Sequence, residues 1–331
     1  MSIEICEVDL AHVDRAAWDS FAIQCDVSAR GMWQRLTAWQ VKHLFHYRVR
    51  LFELFTETGG QRRKVGQCAV AVSRDGRCLF LPRLQLAAAG PARWRAAMQA
   101  LLPAIGAQVY KYGWELSLEP PREAELAAMP GVEILSARPI TVHAVDFSRW
   151  RSWDDYYRQI SENSRRNAKA AERRFPDLEV RVRAGRASLQ MLPALVRLKD
   201  HQRRRKGLNL STASLAVTYA VSALFEPEHV LSAGVWGGGR MLSTCFGWEV
   251  GDNFWYLDAA SAPDNGGAAW TLLLAMLKRA YERCPTGKFI MGYVDYAIHD
   301  EAQGGGLLRS RQACRVQDYP TSILTFRHTA V

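Results

Sequence analysis

A strongly basic segment in the middle of the chain constrains the fold more than any other part of the sequence. Residues 156–174 carry six cationic side chains and only two acidic ones, in a pattern that predicts one helix. Phe175-Pro176-Asp177 ends that helix, and residues 178–183 alternate as a strand does. A basic helix followed by a basic strand predicts a docking place for an anion and the beginning of a second domain.

The length and charge of the chain support this interpretation. At 331 residues the chain is too long for one ordinary core, and we expect two domains, residues 1–146 and 147–331. Hydrophobic residues make up 48% and the net charge is +10, which indicates a folded protein with anionic partners. Nucleic acid, a phosphorylated cofactor or an acidic carrier protein would fit, and an arginine-rich solvated surface is the alternative explanation.

The cysteines and the apolar segments exclude several classes of protein. Seven cysteines are scattered without metal-ligand spacing, so neither a zinc site nor a disulfide framework is predicted. The N-terminus lacks the features of a signal peptide, and no apolar run reaches the roughly 20 residues of a spanning helix. We therefore expect a cytoplasmic protein with no metal and no membrane partner.

Both halves of the sequence show the same order of elements: strand, helices, antiparallel strands, helix, strand. In the first half the last of these strands is predicted at residues 114–118. In the second half the pattern predicts a helix over 268–283 between strands at 254–259 and 289–294, and final strands at 314–316 and 322–328. The fold class is α+β, with a mixed, mostly antiparallel sheet flanked by helices in each half.

Three short motifs resemble a known group of enzymes. Ser164-Arg165-Arg166-Asn167-Ala168-Lys169-Ala170-Ala171-Glu172 resembles a helix of the CelD/BioF-type acyltransferases of the GNAT superfamily and of the Fem-type peptidyltransferases. Trp18-Asp19-Ser20-Phe21 resembles the opening of the Fem-type N-terminal domain, and Gly237-Gly238-Gly239-Arg240-Met241 resembles a hairpin turn of these domains. The resemblance spans nearly the whole chain. It implies two tandem GNAT-like domains, a degenerate one that is structural or shapes the acceptor cleft and a catalytic one.

The resemblance also implies a donor site in the second half. In GNAT proteins a bulged strand offers its amides to the acyl donor, and a helix N-terminus holds the pyrophosphate of coenzyme A. The corresponding positions here are Tyr256, Leu257, Asn265, Gly266, Gly267, Ala268 and Trp270. The full coenzyme A signature is missing, because Ala262-Pro263-Asp264 replaces its basic or amide lead residue. The donor therefore stays open between acyl-coenzyme A, an acyl-phosphopantetheine carrier and aminoacyl-tRNA.

Amide formation requires a neutral amine, and so a base or a water chain to one. Asp295 is the first candidate because it follows the strand that the resemblance places opposite the donor strand. Asp258, Tyr293 and His299 are further candidates. Polar residues at strand ends are also ordinary turn formers.

Cations outside this strand could bind an anionic substrate. The candidates are Arg165, Arg166, Arg203, Arg204, Lys206 and Arg309. Cations at the end of a helix also complement its dipole, so structure alone could account for residues 203–206. Gly304-Gly305-Gly306 predicts either a mobile loop that closes over substrate or a plain flexible connection.

These observations predict an N-acyltransferase that forms an amide by direct attack of a small-molecule amine on an activated acyl group. The donor is an acyl thioester on coenzyme A or on an acidic carrier protein. One alternative is a Fem-like peptide ligase that uses aminoacyl-tRNA. A second alternative is a non-catalytic nucleic-acid-binding protein on a transferase scaffold.

Overall fold

The computed structural model describes residues 3–25, 29–88, 90–113, 117–207, 211–293 and 301–329. It contains two compact units, one formed by Met1–Val142 with Tyr319–Val331 and one formed by His143–Asp318. The sequence analysis had placed residues 319–331 in the second domain. They lie in the first unit because the last strand of the chain pairs there with residues 109–112.

The first unit has helices packed on a mixed sheet. Its elements in chain order are β1 (Ile3–Val8), α1 (Arg15–Cys25), α2 (Trp33–Lys42), β2 (Tyr47–Thr58), β3 (Gln61–Ser73), β4 (Arg77–Phe80), β5 (Gln85–Leu86), α3 (Pro91–Ile105), β6 (Val109–Tyr112), α4 (Glu123–Ala127) and most of β7 (Val132–Asp146). Its core is formed by the buried side of α3, which includes Trp94, Met98 and Leu101, and by alternate residues of β3. Burial of this apolar surface is the main stabilising contribution.

The second unit carries the segments that the sequence analysis singled out. Its elements are α5 (Trp153–Gln159), α6 (Glu162–Arg174), β8 (Glu179–Ala184), α7 (Leu192–Lys206), α8 (Thr212–Phe225), β9 (Val230–Gly237), β10 (Arg240–Val250), β11 (Asn253–Ser261), α9 (Ala268–Arg283), β12 (Lys288–Tyr293) and α10 (Glu301–Ala313). The final strand, β13 (Gln317–His328), then enters the first unit.

The sheet of the second unit has the strand order β12-β11-β10-β9-β8. The β11–β12 pair is parallel and the pairs β10–β11, β9–β10 and β8–β9 are antiparallel. Helix α9 buries Leu272, Met276 and Leu277 against this sheet, and α6 packs on α9 through Ala168 and Ala171. These arrangements confirm the predicted α+β class, with a mixed, mostly antiparallel sheet flanked by helices.

Four sequence-based assignments of elements differ from the structure. The basic segment forms two helices, α5 and α6, because Ile160 is buried between them and the amide of Ser161 donates to the carbonyl of Ala313 at 2.9 Å. The triple glycine lies in helix α10 and not in a loop. No strand forms at residues 314–316, where Cys314 and Arg315 complete a turn after α10. The strand predicted at residues 114–118 lies at Val109–Tyr112, and residues 114–116 are outside the described part of the chain.

Candidate active site

Strands β11 and β12 separate shortly after they meet. Their register consists of two pairs, Phe254 with Phe289 and Trp255 with Ile290. The next pair in sequence, Tyr256 and Met291, instead lines a cavity of about 360 Å³. Parting of two parallel strands exposes backbone and side chains at the middle of a sheet, where a ligand can reach them.

A bulge in β11 lies directly after the last residue pair of β11 and β12. The register of β11 with β10 passes from Tyr256 opposite Gly247 to Asp258 opposite Phe246, so Leu257 has no partner on β10. A Cβ atom on Gly247 would lie 2.7 Å from the carbonyl oxygen of Trp255, so this position requires glycine. The bulge falls in the strand that the sequence analysis assigned to the donor, and bulges of this kind re-aim side chains next to binding sites.

The cavity lies within the second unit, between the two strands and three helices. Its strand wall includes Tyr256, Ala259, Ser261 and Met291, and its helix wall includes Gln202 and Arg205 of α7, Ala269 and Trp270 of α9, and Leu307, Ser310 and Arg311 of α10. The sequence analysis named Tyr256 and Trp270 of these residues. The beginning of α9 and the end of β12 thus face one cleft, as an acyl-transfer site requires.

Arg311 is the charged group most deeply buried in the cavity wall. Only 8% of its surface is exposed, and burial lowers the pKa of its guanidinium to about 10, so the side chain is still charged at neutral pH. Its Nη2 donates to the carbonyl oxygen of Met291 at 2.8 Å. Among the described residues no carboxylate lies within ion-pair distance of it. A buried cation without a counter-ion is costly, and an anionic ligand group would offset that cost.

His143 is a hydrogen-bond partner of the Arg311 guanidinium. Nη1 of Arg311 donates to Nδ1 of His143 at 2.9 Å, which requires an unprotonated Nδ1. Burial, and then the charge of Arg311, lower the pKa of His143 below 6.5. The neutral imidazole carries its proton on Nε2, which lies 3.6 Å from Oδ1 of Asp318. The imidazole therefore orients the guanidinium without neutralising it.

Two uncharged polar groups complete the cavity. Burial raises the pKa of Tyr256 well above 10, so its hydroxyl stays protonated, and no described residue takes a hydrogen bond from it. Oε1 of Gln202 is buried and has no hydrogen-bond partner in the described structure. A phenol donor and an amide acceptor beside a cation can hold an acyl carbonyl and an amine nitrogen.

The beginning of α9 does not fit the pyrophosphate of coenzyme A. A helix start usually leaves its first amides without partners, and these bind phosphate. Here Oδ1 of Asn265 accepts from the amides of Gly267 at 3.0 Å and Ala269 at 3.5 Å. The amides of Ala268 and Trp270 donate to backbone carbonyls three residues earlier. The amides of residues 267–270, which a phosphate at the helix start would use, are therefore already engaged by the chain.

The loop before α9 is also held by an ion pair and by close packing. Asp264 forms an ion pair with Arg240, whose hydrogen bond lowers the pKa of Asp264, and Arg174 is a further cation that acts on the same carboxylate. Gly267, with φ of +102°, lies against helix α6, so that a Cβ atom there would be 2.1 Å from the carbonyl oxygen of Asn167. The loop is packed and capped by its own chain.

Asp258 lies on β11 outside the cavity lining. Nζ of Lys199 and the hydroxyl of Tyr219 both bind its carboxylate, and the amide of Ala259 donates to it at 2.8 Å. Burial, followed by the charge of Asp258, raises the pKa of Tyr219. This network joins β11 to α7 and α8, which favours a structural role for Asp258.

The other catalytic candidates lie at the end of β12. Tyr293 is the last residue of that strand and is half-buried. Asp295 and His299 lie outside the described residues, so their predicted roles stay predictions.

The predicted anion-binding cations are dispersed over the unit. Arg203 and Arg204 form ion pairs with Asp200 at 3.1 and 2.8 Å, and the neighbouring Arg205 lines the cavity. Arg309 points to solvent on α10, and the side chain of Lys206 is outside the described part. Arg166 is exposed on α6, whereas Arg165 is half-buried with its guanidinium 5.6 Å from the ring of Tyr157.

The sequence analysis missed Arg311 although a signal for it exists. Leu307, Ser310, Arg311 and Cys314 have the i, i+3, i+4, i+7 spacing of one helix face. The triple glycine before it predicts a loop, which hides this helical face in the sequence. In helix α10 this spacing places Leu307 and Arg311 on the face that lines the cavity and leaves Arg309 exposed to solvent.

No metal-binding arrangement of three or more His, Cys, Asp or Glu side chains occurs in the described ranges. None of the helices that the structure describes has the length and hydropathy needed to cross a bilayer.

Comparison with known proteins identifies the fold. Residues 162–296 match the family model described as the acetyltransferase (GNAT) domain. A crystal structure of FemX is similar to this chain with a TM-score of 0.70, at 13% identity over 96% of each chain. A conserved protein of unknown function from Bacteroides thetaiotaomicron has a TM-score of 0.57, at 12% identity over 99% of this chain and 100% of the other. No curated protein matches the sequence. The second unit therefore carries a GNAT domain, and the predicted resemblance to the Fem-type tandem GNAT group is confirmed at the level of the fold.

Proposed function

We propose that the chain is an acyltransferase that forms an amide in the cavity between β11 and β12. The observation that carries this proposal is Arg311, a buried guanidinium at the point where the two strands part, for which the described residues offer no carboxylate partner. A preorganised cation in a site with little water stabilises the negative charge that develops on an attacked carbonyl oxygen.

Each group around Arg311 has a role in such a reaction. The amine is oriented by donating a hydrogen bond to Oε1 of Gln202, and its nitrogen attacks the acyl carbon. The new C–N bond forms as the bond to the leaving oxygen or sulfur breaks. Tyr256, which burial keeps protonated, donates a hydrogen bond to the leaving group, and the proton of the amine passes through a base to the leaving oxygen or sulfur. Asp295 is the first candidate for that base by sequence, with Tyr293 and His299 behind it.

The donor we propose is an acyl group on a carrier other than coenzyme A. The start of α9 supports this choice, because the amides of residues 267–270 already have hydrogen-bond partners within the chain. An acyl-phosphopantetheine on an acidic carrier protein is compatible with the cavity, since a single phosphate on the carrier need not enter the loop.

Aminoacyl-tRNA is the second candidate donor, and a specific observation favours it. Arg166, Lys169, Arg173 and Arg174 are exposed on α6, the helix that packs against the beginning of α9. An exposed cationic face beside the donor loop suits an RNA backbone. The similarity of the fold to FemX supports the same candidate.

A donor panel distinguishes these possibilities. The protein is incubated with a mixture of amines and, in turn, with acetyl-coenzyme A, an acylated carrier protein and radiolabelled aminoacyl-tRNAs. An amide product resists mild alkali, whereas the ester of aminoacyl-tRNA is hydrolysed. A carrier thioester should release one thiol for each amide formed, and ribonuclease should abolish product formation only with the tRNA donor. Binding of RNA without product from any donor would instead support a non-catalytic nucleic-acid-binding protein.

A further inference from the structure

An exposed apolar cluster lies in the first unit, in the turn between α2 and β2. Phe45 is 82% exposed, Leu44 is 61% exposed and Val41 is 47% exposed. Single exposed apolar residues are ordinary on protein surfaces, but three within five positions form a patch. The acyl-transfer chemistry of the second unit makes no use of them.

The turn that carries this cluster is held in place by its neighbours. The side chain of Gln40 donates to the carbonyl oxygen of Tyr47 at 3.0 Å and accepts from the amide of Val49 at 2.6 Å. The rings of Trp39 and His43 lie tilted by 34° with centroids 4.2 Å apart, and Tyr47 meets Trp39 edge-on at 5.4 Å. The backbone amide of Tyr47 donates to the carbonyl of His43 at 3.0 Å. An ordered turn thus presents Leu44 and Phe45 to solvent.

Cationic side chains surround the same cluster. Arg48 and Arg74 line a groove of about 370 Å³ together with Leu44 and Phe45. Both arginines are exposed, and neither has a carboxylate within ion-pair distance in the part of the chain that the structure describes. The nearby acidic residues are otherwise engaged, since Glu7 pairs with Arg50 and Asp75 with Arg77. Residues 29–52 of the sequence contain no aspartate or glutamate.

We propose that the turn at residues 41–48 docks the protein on the surface of a bilayer that contains anionic lipids. Apolar side chains at the tip of a turn enter the boundary between headgroups and acyl chains, while arginines beside them bind the phosphates. Arg48 and Arg74 favour an anionic bilayer over the apolar cluster of a second copy of the chain, because the arginines of the two copies would repel each other. The proposal revises the sequence-based expectation of no membrane partner and does not depend on the acyl-transfer reaction.

Sedimentation with vesicles tests the proposal. The full chain is mixed with vesicles of phosphatidylglycerol and phosphatidylcholine in equal amounts, and with vesicles of phosphatidylcholine alone. The unmodified protein should sediment with the anionic vesicles and stay in solution with the neutral ones. The double variant Leu44→Ser/Phe45→Ser should bind the anionic vesicles at least about tenfold more weakly, because two large apolar side chains no longer leave water. Arg48→Gln/Arg74→Gln should weaken binding and reduce its dependence on salt.

A matched control separates docking from a general effect of surface polarity. Val217 on α8 is 51% exposed, and Val217→Ser should sediment like the unmodified protein. Equal sedimentation of the Leu44→Ser/Phe45→Ser variant and the unmodified protein would overturn the proposal, as would no sedimentation of the unmodified protein with anionic vesicles. A dimer in gel filtration that this variant converts to a monomer, without any lipid binding, would assign the patch to a second copy instead.

Discussion

At the scale of single residues, the candidate site depends on a pair that only the structure brings together. Arg311 and His143 are 168 positions apart, and the guanidinium of one donates to the imidazole of the other at 2.9 Å. The sequence analysis named Tyr256 and Trp270 because the family resemblance marks their positions. It did not name Arg311 or Gln202, since their importance follows from the direction in which each faces on its helix.

The His143–Arg311 contact predicts a dependence of stability on pH. His143 has a lowered pKa in the folded protein and titrates near 6.5 when unfolded, so below that value the unfolded chain binds more protons. The free energy of unfolding should therefore be level above about pH 6.5 and fall as the pH decreases below it, with a slope of at most about 1.4 kcal/mol per pH unit from this group.

Denaturant unfolding of the unmodified protein and of His143→Gln, measured between pH 5 and pH 8, checks this expectation. Glutamine keeps an acceptor for Arg311 but has no proton to gain. The variant should lose part of the decline at acidic pH. Identical pH profiles for the two proteins would show that His143 does not titrate differently on folding.

Asp258 provides a second test at this scale. Asp258→Asn removes the charge that Lys199 and Tyr219 bind, and we expect it to lower the free energy of unfolding by about 1–3 kcal/mol. Because the carboxylate lies outside the cavity lining, the rate of acyl transfer per folded molecule should change by less than about threefold, which is under 1 kcal/mol. A rate at least about 100-fold lower with unchanged stability would instead make Asp258 a catalytic residue.

At the scale of elements, local sequence patterns predicted most helices and strands of the second unit. They failed where contacts between distant residues determine whether a helix forms or ends. Helix α9 was predicted with its observed bounds, because apolar periodicity and the glycines before it agree. Helix α10 was missed, since its glycines lower helix propensity, whereas half-buried Leu307 and buried Arg311 on one face, followed by buried Cys314, anchor it to the unit. The break between α5 and α6 depends on a hydrogen bond from the backbone amide of Ser161 to the carbonyl oxygen of Ala313, which no local sequence pattern shows.

Two glycines with opposite environments test these element assignments. Gly267→Ala should destabilise the protein by at least about 2 kcal/mol, because its Cβ would lie 2.1 Å from the carbonyl oxygen of Asn167 at a φ of +102°. Gly306→Ala in α10 meets no atom within 4 Å and should stabilise by about 0.5–1 kcal/mol. Thermal unfolding of both variants compares them directly. Destabilisation by Gly306→Ala would contradict a helix at that position.

At the scale of the whole molecule, the length of the chain predicts two domains and its net charge predicts anionic partners, but neither predicts the path of the last strand. The return of β13 to the first unit depends on its pairing with β6, a contact between residues more than 200 positions apart. The net charge of +10 indicated an anionic partner without locating it. The structure places exposed cations on α6, beside the loop at residues 264–267, in which Asn265 accepts from two amides of the helix start.

Charge reversal on α6 tests which donor this surface serves. Arg166→Glu/Lys169→Glu should weaken binding of tRNA at least about tenfold and reduce its salt dependence, if the donor is aminoacyl-tRNA. Arg95→Glu/Lys111→Glu changes the same charge at exposed positions of the first unit and serves as the control. Filter binding at several salt concentrations measures both. Equal losses in the two variants would mean that overall charge, and not α6, attracts the RNA.

The most direct test of the central claim is the rate of alkali-resistant product formation by Arg311→Met, with whichever donor the unmodified protein accepts. Methionine fills similar space and removes a buried charge, but it leaves the acceptors on Met291 and His143 unpaired, so the free energy of unfolding should fall by no more than about 3 kcal/mol. The rate should fall by about 100-fold or more, because the carbonyl oxygen loses its cation. An unchanged rate in a stably folded Arg311→Met protein would contradict amide formation in the cavity between β11 and β12.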